Sequence, residues 1–483
     1  MTVARTEGQE LAKNGKGRFC AWRGGAVLLG ALMLAWPAFF NGYPLLYPDS
    51  MTYLDDGPTV ARAVFLHQLS DYYGERSFFY SLGILPFHWN LTAWPIVGLQ
   101  CLLVAWIIWL LVRAFQAPSV APRRIIAPYL ILILFLSLMT SASWYAAFIM
   151  PDILGSLVYL SFYLLAFARE TLSRVERLGL YLIVWWGITS HNSHLLMAAG
   201  LLVLLVLFAA FERRPFWRRV RSMGELAAII AIAVASQMAL HGYLYGKPSL
   251  SGERPPYLMA RIITDGPGRW YLDKHCDQGQ WAVCDCYQKL SDNPDDLLWA
   301  NENDPNADAL PDRERMVREE MPFVLATIQA YPREQLLKSA ANFRDQFLSF
   351  GLYGFDPSKW ILEQFNVVLP RERASFMSSR QERSNLPLDQ LSDIQWWTII
   401  ASLAAIAVMI PFLWRHHSPR LVALGLVIAA SVVANAMVTG VLSVVDDRYQ
   451  CRVIWLVPLL AGICFLDWLQ QRKTAEATAE SSR

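Results

Sequence analysis

Charge is scarce in this sequence. Only 17% of its 483 residues are Asp, Glu, Lys or Arg, against roughly 25% in a typical soluble domain. Long stretches carry none at all. That segregation excludes an ordinary water-soluble enzyme with a large core. The net charge of +2 is too small for the basic footprint of a nucleic-acid binder, so no nucleic-acid partner is expected. A glycine-rich phosphate loop, a zinc-spaced Cys/His set and a Gly-x-Ser-x-Gly elbow are all missing, and with them the chemistries they support. No internal repeat is visible.

What is present is apolar: 55% of the residues are hydrophobic, and 19 are Trp. A membrane-crossing helix needs about 20 such residues, with a range of roughly 17–25. The uncharged stretches predict ten spans: 24–45, 90–112, 125–149, 151–168, 178–191, 194–211, 226–245, 395–414, 421–443 and 453–466. Pro86, His88, Asn90 and Pro95 interrupt the apolar run at 77–112, so 77–88 is assigned to the interface and the span starts near Leu91. "SHNSH" (190–194) is read as the break of a hairpin. The expected fold is an all-α polytopic membrane protein of about ten transmembrane helices, with one mixed or α-rich domain outside the membrane.

Lys and Arg bias orients the chain. On one side fall Arg18 and Arg23; Arg113, Arg123 and Arg124; Arg169, Arg174 and Arg177; the run from Arg213 to Arg221; Arg415 and Arg420; and Arg472 and Lys473. The short loops opposite hold only Arg62, Arg76, Arg448 and Arg452. Both termini are therefore expected in the cytoplasm of a bacterial inner membrane. The basic start, Met1 to Phe40, lacks a small-x-small cleavage site and is read as a retained first helix. The expected organisation is a cytoplasmic segment (1–23), a transmembrane domain (24–245) with a catalytic first outer loop (46–89), an extracytoplasmic domain (246–394), the last transmembrane helices (395–468) and a disordered cytoplasmic tail (469–483). "RRPFWRRVR" is expected to meet anionic lipid headgroups. "YPREQLLKSAANFRDQFLSFG" predicts an amphipathic helix near the membrane surface.

The outer domain holds Cys276, Cys284 and Cys286. In an oxidising compartment a disulfide from Cys276 to Cys284 or Cys286 is expected. Three free thiols are the alternative, and a zinc site with His275 has no common spacing behind it.

Four polar clusters fall at one depth, the outer membrane surface. Asp49, with Tyr47 and Tyr53, follows the first span. Asp152 lies between the third and fourth spans, and His191, Asn192 and His194 lie between the fifth and sixth. "VVDDRYQCR", with Asp446, Asp447, Arg448 and Arg452, precedes the last span. Each has a structural alternative. The two single Asp residues suit helix N-termini, the His pair suits a polar turn, and Asp447 and Arg448 suit a local ion pair. Together they form a set of membrane-level ionisable residues, which are functional candidates. Such a set fits a substrate with a phosphate head and a lipid tail. Arg448 would hold phosphate oxygens through its planar fork. Asp49 would act as general base. Asp49 and Asp152 would alternatively share a divalent metal, Mg or Mn.

"YPDS" with Asp49, "MPD" with Asp152 and "DDRYQCR" with Arg448 and Tyr449 resemble the GT-C fold of polytopic glycosyltransferases. The likeness covers roughly 24–245 and 395–470 and is nearest to the protein-mannosyltransferase and aminoarabinose-transferase branch. It differs in that Ser50 follows Asp49, the acidic pair being Asp55 and Asp56, and in that Thr398 follows Trp396 and Trp397. The resemblance implies a polyprenyl-phosphate-sugar donor, an extracytoplasmic lipid, glycan or protein acceptor, and inversion at the sugar carbon. Asp49 and Asp152 would be catalytic. Tyr53, Arg76, His191, His194, Asp447, Arg448 and Tyr449 would bind substrate. A transporter or flippase, or another lipid-surface transferase such as an O-antigen ligase, is the competing reading. The spans place no Asp, Glu, Lys or Arg at mid-depth, where transporters tend to bind. Gln100, Gln237 and Asn435 are read as helix-to-helix glue.

Overall fold

A computed structural model describes residues 22–68, 76–116, 123–211, 216–251, 254–286, 294, 298, 313–416 and 418–481. Helices account for nearly all of the regular structure; among the described residues the one non-helical pairing is an isolated parallel bridge, Leu45 to Phe148. Helices α1 (Trp22–Asn41), α2 (Pro48–Leu66), α3 (Phe78–His88), α4 (Trp94–Ala114) and α5 (Arg123–Met139) lead to the short α6 (Ala142–Ala146). Next come α7 (Asp152–Phe167), α8 (Arg174–Ser190), α9 (Asn192–Phe211) and α10 (Phe216–Tyr245). The intervening segment carries α11 (Tyr257–Thr264), α12 (Pro267–His275), α13 (Arg313–Ala330), α14 (Pro332–Leu348), α15 (Lys359–Val368) and α16 (Arg373–Met377). The chain closes with α17 (Leu388–His416), α18 (Pro419–Leu442), α19 (Asp447–Ile454) and α20 (Leu456–Ser481).

Helices overlie every stretch expected to span. Six stretches among the described residues are long and apolar enough to cross a membrane: Trp22–Asn41, Trp94–Ala114, Arg221–Tyr245, Leu388–Phe412, Pro419–Leu442 and Asp447–Arg472. Shorter apolar helices occupy Phe78–His88, Arg124–Met139, Asp152–Phe167 and Asn192–Leu207.

Three boundaries differ from expectation. The 125–149 stretch is not one helix, because α5 ends at Met139. Ser141 and Ser143 turn their hydroxyls to the carbonyls of Cys451 and Ser137. Thr140 bonds locally, giving its hydroxyl to the Leu136 carbonyl and accepting from the Ala142 N–H, and such local side-chain bonds compete with a continuing helix. The last helix starts earlier than 453 but breaks at Trp455. Pro458 lacks the N–H that would bond the Ile454 carbonyl. The tail at 469–483 is not disordered throughout: α20 runs on to Ser481, as its Ala- and Glu-rich sequence favours. Residues 1–21, 212–215 and most of 287–312 lie outside the described residues, and with them nearly all of the expected cytoplasmic segment (1–23) and the start of the basic "RRPFWRRVR" stretch.

The main apolar core joins the helices from α1 to α10 with those from α17 to α20. The 246–394 segment divides between two cores. Met259, Ile263, Leu272, Val283, Met316 and Phe323 belong to a small separate one. Phe350, Phe355, Ile361, Phe365 and Phe376 pack into the main core instead. Cys276 and Cys284 form a disulfide beside the small core, and Cys286 stays buried outside the bond. His275 stacks on Tyr271 and bonds its carbonyl.

Candidate functional site at one end of the helices

Backbone pairing draws the first two clusters together. Gly42, at φ +87°, ends α1 in a left-handed turn that glycine adopts without strain. The chain then runs beside the segment before α7: Leu45 N–H donates to the Ala147 carbonyl at 3.1 Å, and Ile149 N–H donates to the Leu45 carbonyl at 3.0 Å. Two helices start from this pairing, α2 after Tyr47 and α7 after Pro151, and each has an Asp in its first turn. Both carboxylates sit where a helix dipole stabilises negative charge. Neither is itself the cap, since the N-caps are Tyr47 and Pro151, and each Asp also meets an arginine. Arg76 donates to Asp49 at 2.7 Å, and Arg452 lies 3.6 Å from Asp152.

The second pair comes from α19. Asp446 caps this helix by accepting from the Arg448 N–H at 2.8 Å. Arg448 then lies over Tyr47, 4.2 Å from the ring centroid, and 5.0 Å from that of Tyr449. It is 7% exposed, and its Nε and Nη1 have no hydrogen-bond partner among the described residues. The Tyr47 phenol feels this charge: Arg448 lowers its pKa, but burial and Asp49 outweigh that and hold it at about 12, so the phenol stays protonated. Arg452, one turn on, is fully buried. Asn435 of α18 accepts from its Nε at 2.9 Å, and Ser193 accepts from its Nη2 at 3.2 Å.

The histidines divide their work. Ser193 sends both its N–H (3.2 Å) and its hydroxyl (2.7 Å) to His191 Nδ1. That nitrogen is therefore an acceptor, and in neutral His191 the proton sits on Nε2. His194 donates from Nδ1 to the Gly187 carbonyl at 2.8 Å, leaving a buried Nε2 lone pair against Gly155. His191 is within electrostatic reach of Arg76, Arg448 and Arg452. Tyr53, stacked edge-on against Tyr80, faces Asp49, Arg76, Asp152 and Arg448.

Asp49, Tyr53, Arg76, Asp152, His191, His194, Arg448 and Tyr449 thus converge, and part-exposed Asp49, Arg76 and His191 open the cluster to solvent. Asp447 is spent otherwise: it accepts from the Ser349 hydroxyl at 2.9 Å and the Gly351 N–H at 2.8 Å, tying α19 to the segment after α14. Gln100 does act as glue, bonding Tyr80 and the carbonyls of Ala146 and Phe148. Asn435 is glue as well, joining α18 to the Tyr449 carbonyl, Gln450 and Arg452 of α19. The central place of Arg452 was marked in sequence only by its one-turn spacing from Arg448. Among the described residues no group of three His, Cys, Asp or Glu side chains converges as a metal site. Asp49 and Asp152 would hold a shared cation through the carboxylate oxygens that do not face Arg76 and Arg452.

No family model matches the chain, and no curated protein or solved structure matches it either.

Proposed function

We propose that the protein is an integral-membrane glycosyltransferase of GT-C type. It would move a sugar from a polyprenyl-phosphate donor to an extracytoplasmic lipid, glycan or protein acceptor. The observation that carries this reading is the meeting of two first-turn carboxylates with three arginines at one end of a helical membrane bundle. In this reading ten spans cross an inner membrane with both termini cytoplasmic, and the 246–394 segment lies outside.

Arg448 holds the donor phosphate, with its unpartnered N–H groups satisfied by phosphate oxygens. Tyr53, Tyr449 and the Nε2–H of His191 add donors around it, and His194 packs behind them. Asp49, oriented by Arg76, takes the proton of the acceptor hydroxyl. The acceptor oxygen bonds to the anomeric carbon as the bond from that carbon to phosphate oxygen breaks, and the electron pair leaves on the phosphate. Attack opposite the leaving group inverts the anomeric centre. Asp152 with Arg452 keeps the phosphate end of the site in register.

The test is Asp49→Asn in the native host, beside deletion and wild-type strains with matched membrane insertion. Mass spectrometry of surface glycans and lipid A should lose one sugar-sized mass in the deletion. The transfer rate of Asp49→Asn should fall by about 10²–10⁴-fold, as for a lost general base. Retained activity after exhaustive chelation would assign the positive charge to the arginines; loss restored by Mg or Mn would assign a metal to Asp49 and Asp152. Full complementation by Asp49→Asn would remove the catalytic reading. A deletion that changes no glycan would move transport ahead.

A further inference from the structure

Arg452 is more than a counter-ion for Asp152. A lone ion pair would leave it no reason to stand one turn from a second buried guanidinium. Both cations flank one aromatic ring, with Arg448 5.0 Å and Arg452 5.4 Å from the Tyr449 centroid. Three buried N–H groups, Arg448 Nε and Nη1 and Arg452 Nη1, have no hydrogen-bond partner among the described residues. Leaving charged donors unsatisfied in a buried place is costly, and α19 does so twice on the same face.

The two subsites are built differently. Arg448 stacks on Tyr47 and Tyr449 and gives one long hydrogen bond, 3.4 Å from Nη2 to the Tyr449 hydroxyl, so its Nε and Nη1 remain for a ligand. Arg452 is fixed through Asn435 and Ser193, while its Nη1 makes no hydrogen bond and faces the Asp152 carboxylate at 3.6 Å. Ser193 in turn sets the His191 tautomer, so His191 offers an Nε2–H to the same region. A guanidinium whose fork is fixed loses little freedom when an anion arrives.

We propose that Arg452 and His191 form a second anion subsite beside Arg448, and that the ligand headgroup is a diphosphate, not a single phosphate. This rests on the reading that the site takes a phosphate-bearing lipid. One phosphoryl group sits on Arg448 and the next on Arg452. In transfer the bond from the anomeric carbon to the nearer phosphate oxygen breaks, and the electron pair leaves on the diphosphate.

The experiment measures binding to the full-length protein in detergent, by calorimetry and by thermal shift. The probes are farnesyl phosphate, farnesyl diphosphate, inorganic phosphate, inorganic pyrophosphate and UDP. Wild type should bind farnesyl diphosphate at least tenfold more tightly than farnesyl phosphate. Arg452→Lys, which keeps the charge beside Asp152 but loses the fork, should erase that preference while still binding farnesyl phosphate. Equal binding of the two farnesyl ligands by wild type overturns the diphosphate and leaves the phosphate reading standing. Binding of neither overturns both. Tighter binding of UDP than of farnesyl diphosphate keeps the diphosphate subsite but assigns it to a soluble ligand. The wild-type comparison needs no variant, so misfolding of Arg452→Lys does not blunt the test.

Discussion

Arg448 shows how one residue can weaken a fold to serve a site. Its stacking on Tyr47 and Tyr449 contributes about 0.5–2 kcal/mol in all. Against this stand two buried N–H groups without partners, each costing about 1–3 kcal/mol. On stacking and unmet N–H groups alone the ligand-free side chain is a net burden or close to neutral, and the charges of Asp152 and Asp49 offset part of that. Arg448→Met fills similar space and removes the unsatisfied charge. Its thermal midpoint in detergent should equal or exceed that of wild type, while sugar transfer is lost. A marked drop in midpoint would mean that the guanidinium is satisfied in the resting fold, and Arg448 would then be a structural arginine. His194 presents the same logic in neutral form: its Nε2 lone pair is buried unused against Gly155. Replacing residues that are dissatisfied in the resting state separates function from stability in a way that replacing well-bonded ones does not.

At the scale of elements, the site depends on joints that lie outside it. Gly440, near the C-terminal end of α18, lets α14 pack closely. A Cβ there would lie 2.7 Å from the Asn342 carbonyl oxygen and 2.8 Å from Gln346 Cβ. Gln346 clasps the Asp446 backbone from both sides, at 2.9 and 2.8 Å, and so fixes the start of α19. Gly440→Val should push α14 away and cost about 1–3 kcal/mol as overpacking. Limited proteolysis should then cut the 246–350 region faster, and transfer should fall although every charged residue remains. The sequence disclosed the apolar helices, the four clusters and the reactive residue types, because hydrophobic runs and misplaced charges are local signals. It disclosed less about the joints. The Leu45–Phe148 bridge is a single pairing with no periodicity. Asn435 reaches Arg452 only through helix packing, and so looked like any amide in a span. Asp447 looked like a ligand-facing acid because nothing local reveals its bonds to Ser349 and Gly351. The division of 246–394 between two cores was hidden for the same reason: Phe350 and Phe365 carry no mark of which core they join.

At the scale of the whole molecule, two groups of described charged residues occupy opposite ends of the main helices. The acid–arginine cluster gathers Asp49, Asp152 and the α19 arginines at one end. At the other, the basic residues expected on one side do meet, joined by glutamates. Glu176 binds Arg23 of α1 and Arg113 of α4, at 2.7 and 2.8 Å. Glu225 binds Arg169 and Arg221, and Arg420 binds Glu170. These ties bring the starts or ends of α1, α4, α8, α10 and α18 together. Glu176 lies just ahead of its span and is the centre of this lattice. Burial pushes its carboxyl up, but the Arg113 hydrogen bonds, the Ser173 amide and the Arg23 charge outweigh that and bring it down to about 2. A group whose folded pKa lies below its ordinary 4.5 stabilises the fold fully above pH 4.5, and that contribution fades as the pH falls toward 2. Glu176→Gln should therefore cost about 1–3 kcal/mol at pH 7, read as a lower thermal midpoint in detergent. The gap from wild type should hold steady from pH 8 to about 5 and close as the pH drops further toward 2. A gap that stays constant to low pH would mean that Glu176 acts through packing and its capping bond to Ser173. The arginine ends of the helices would then be held together by their neighbours and not by this charge.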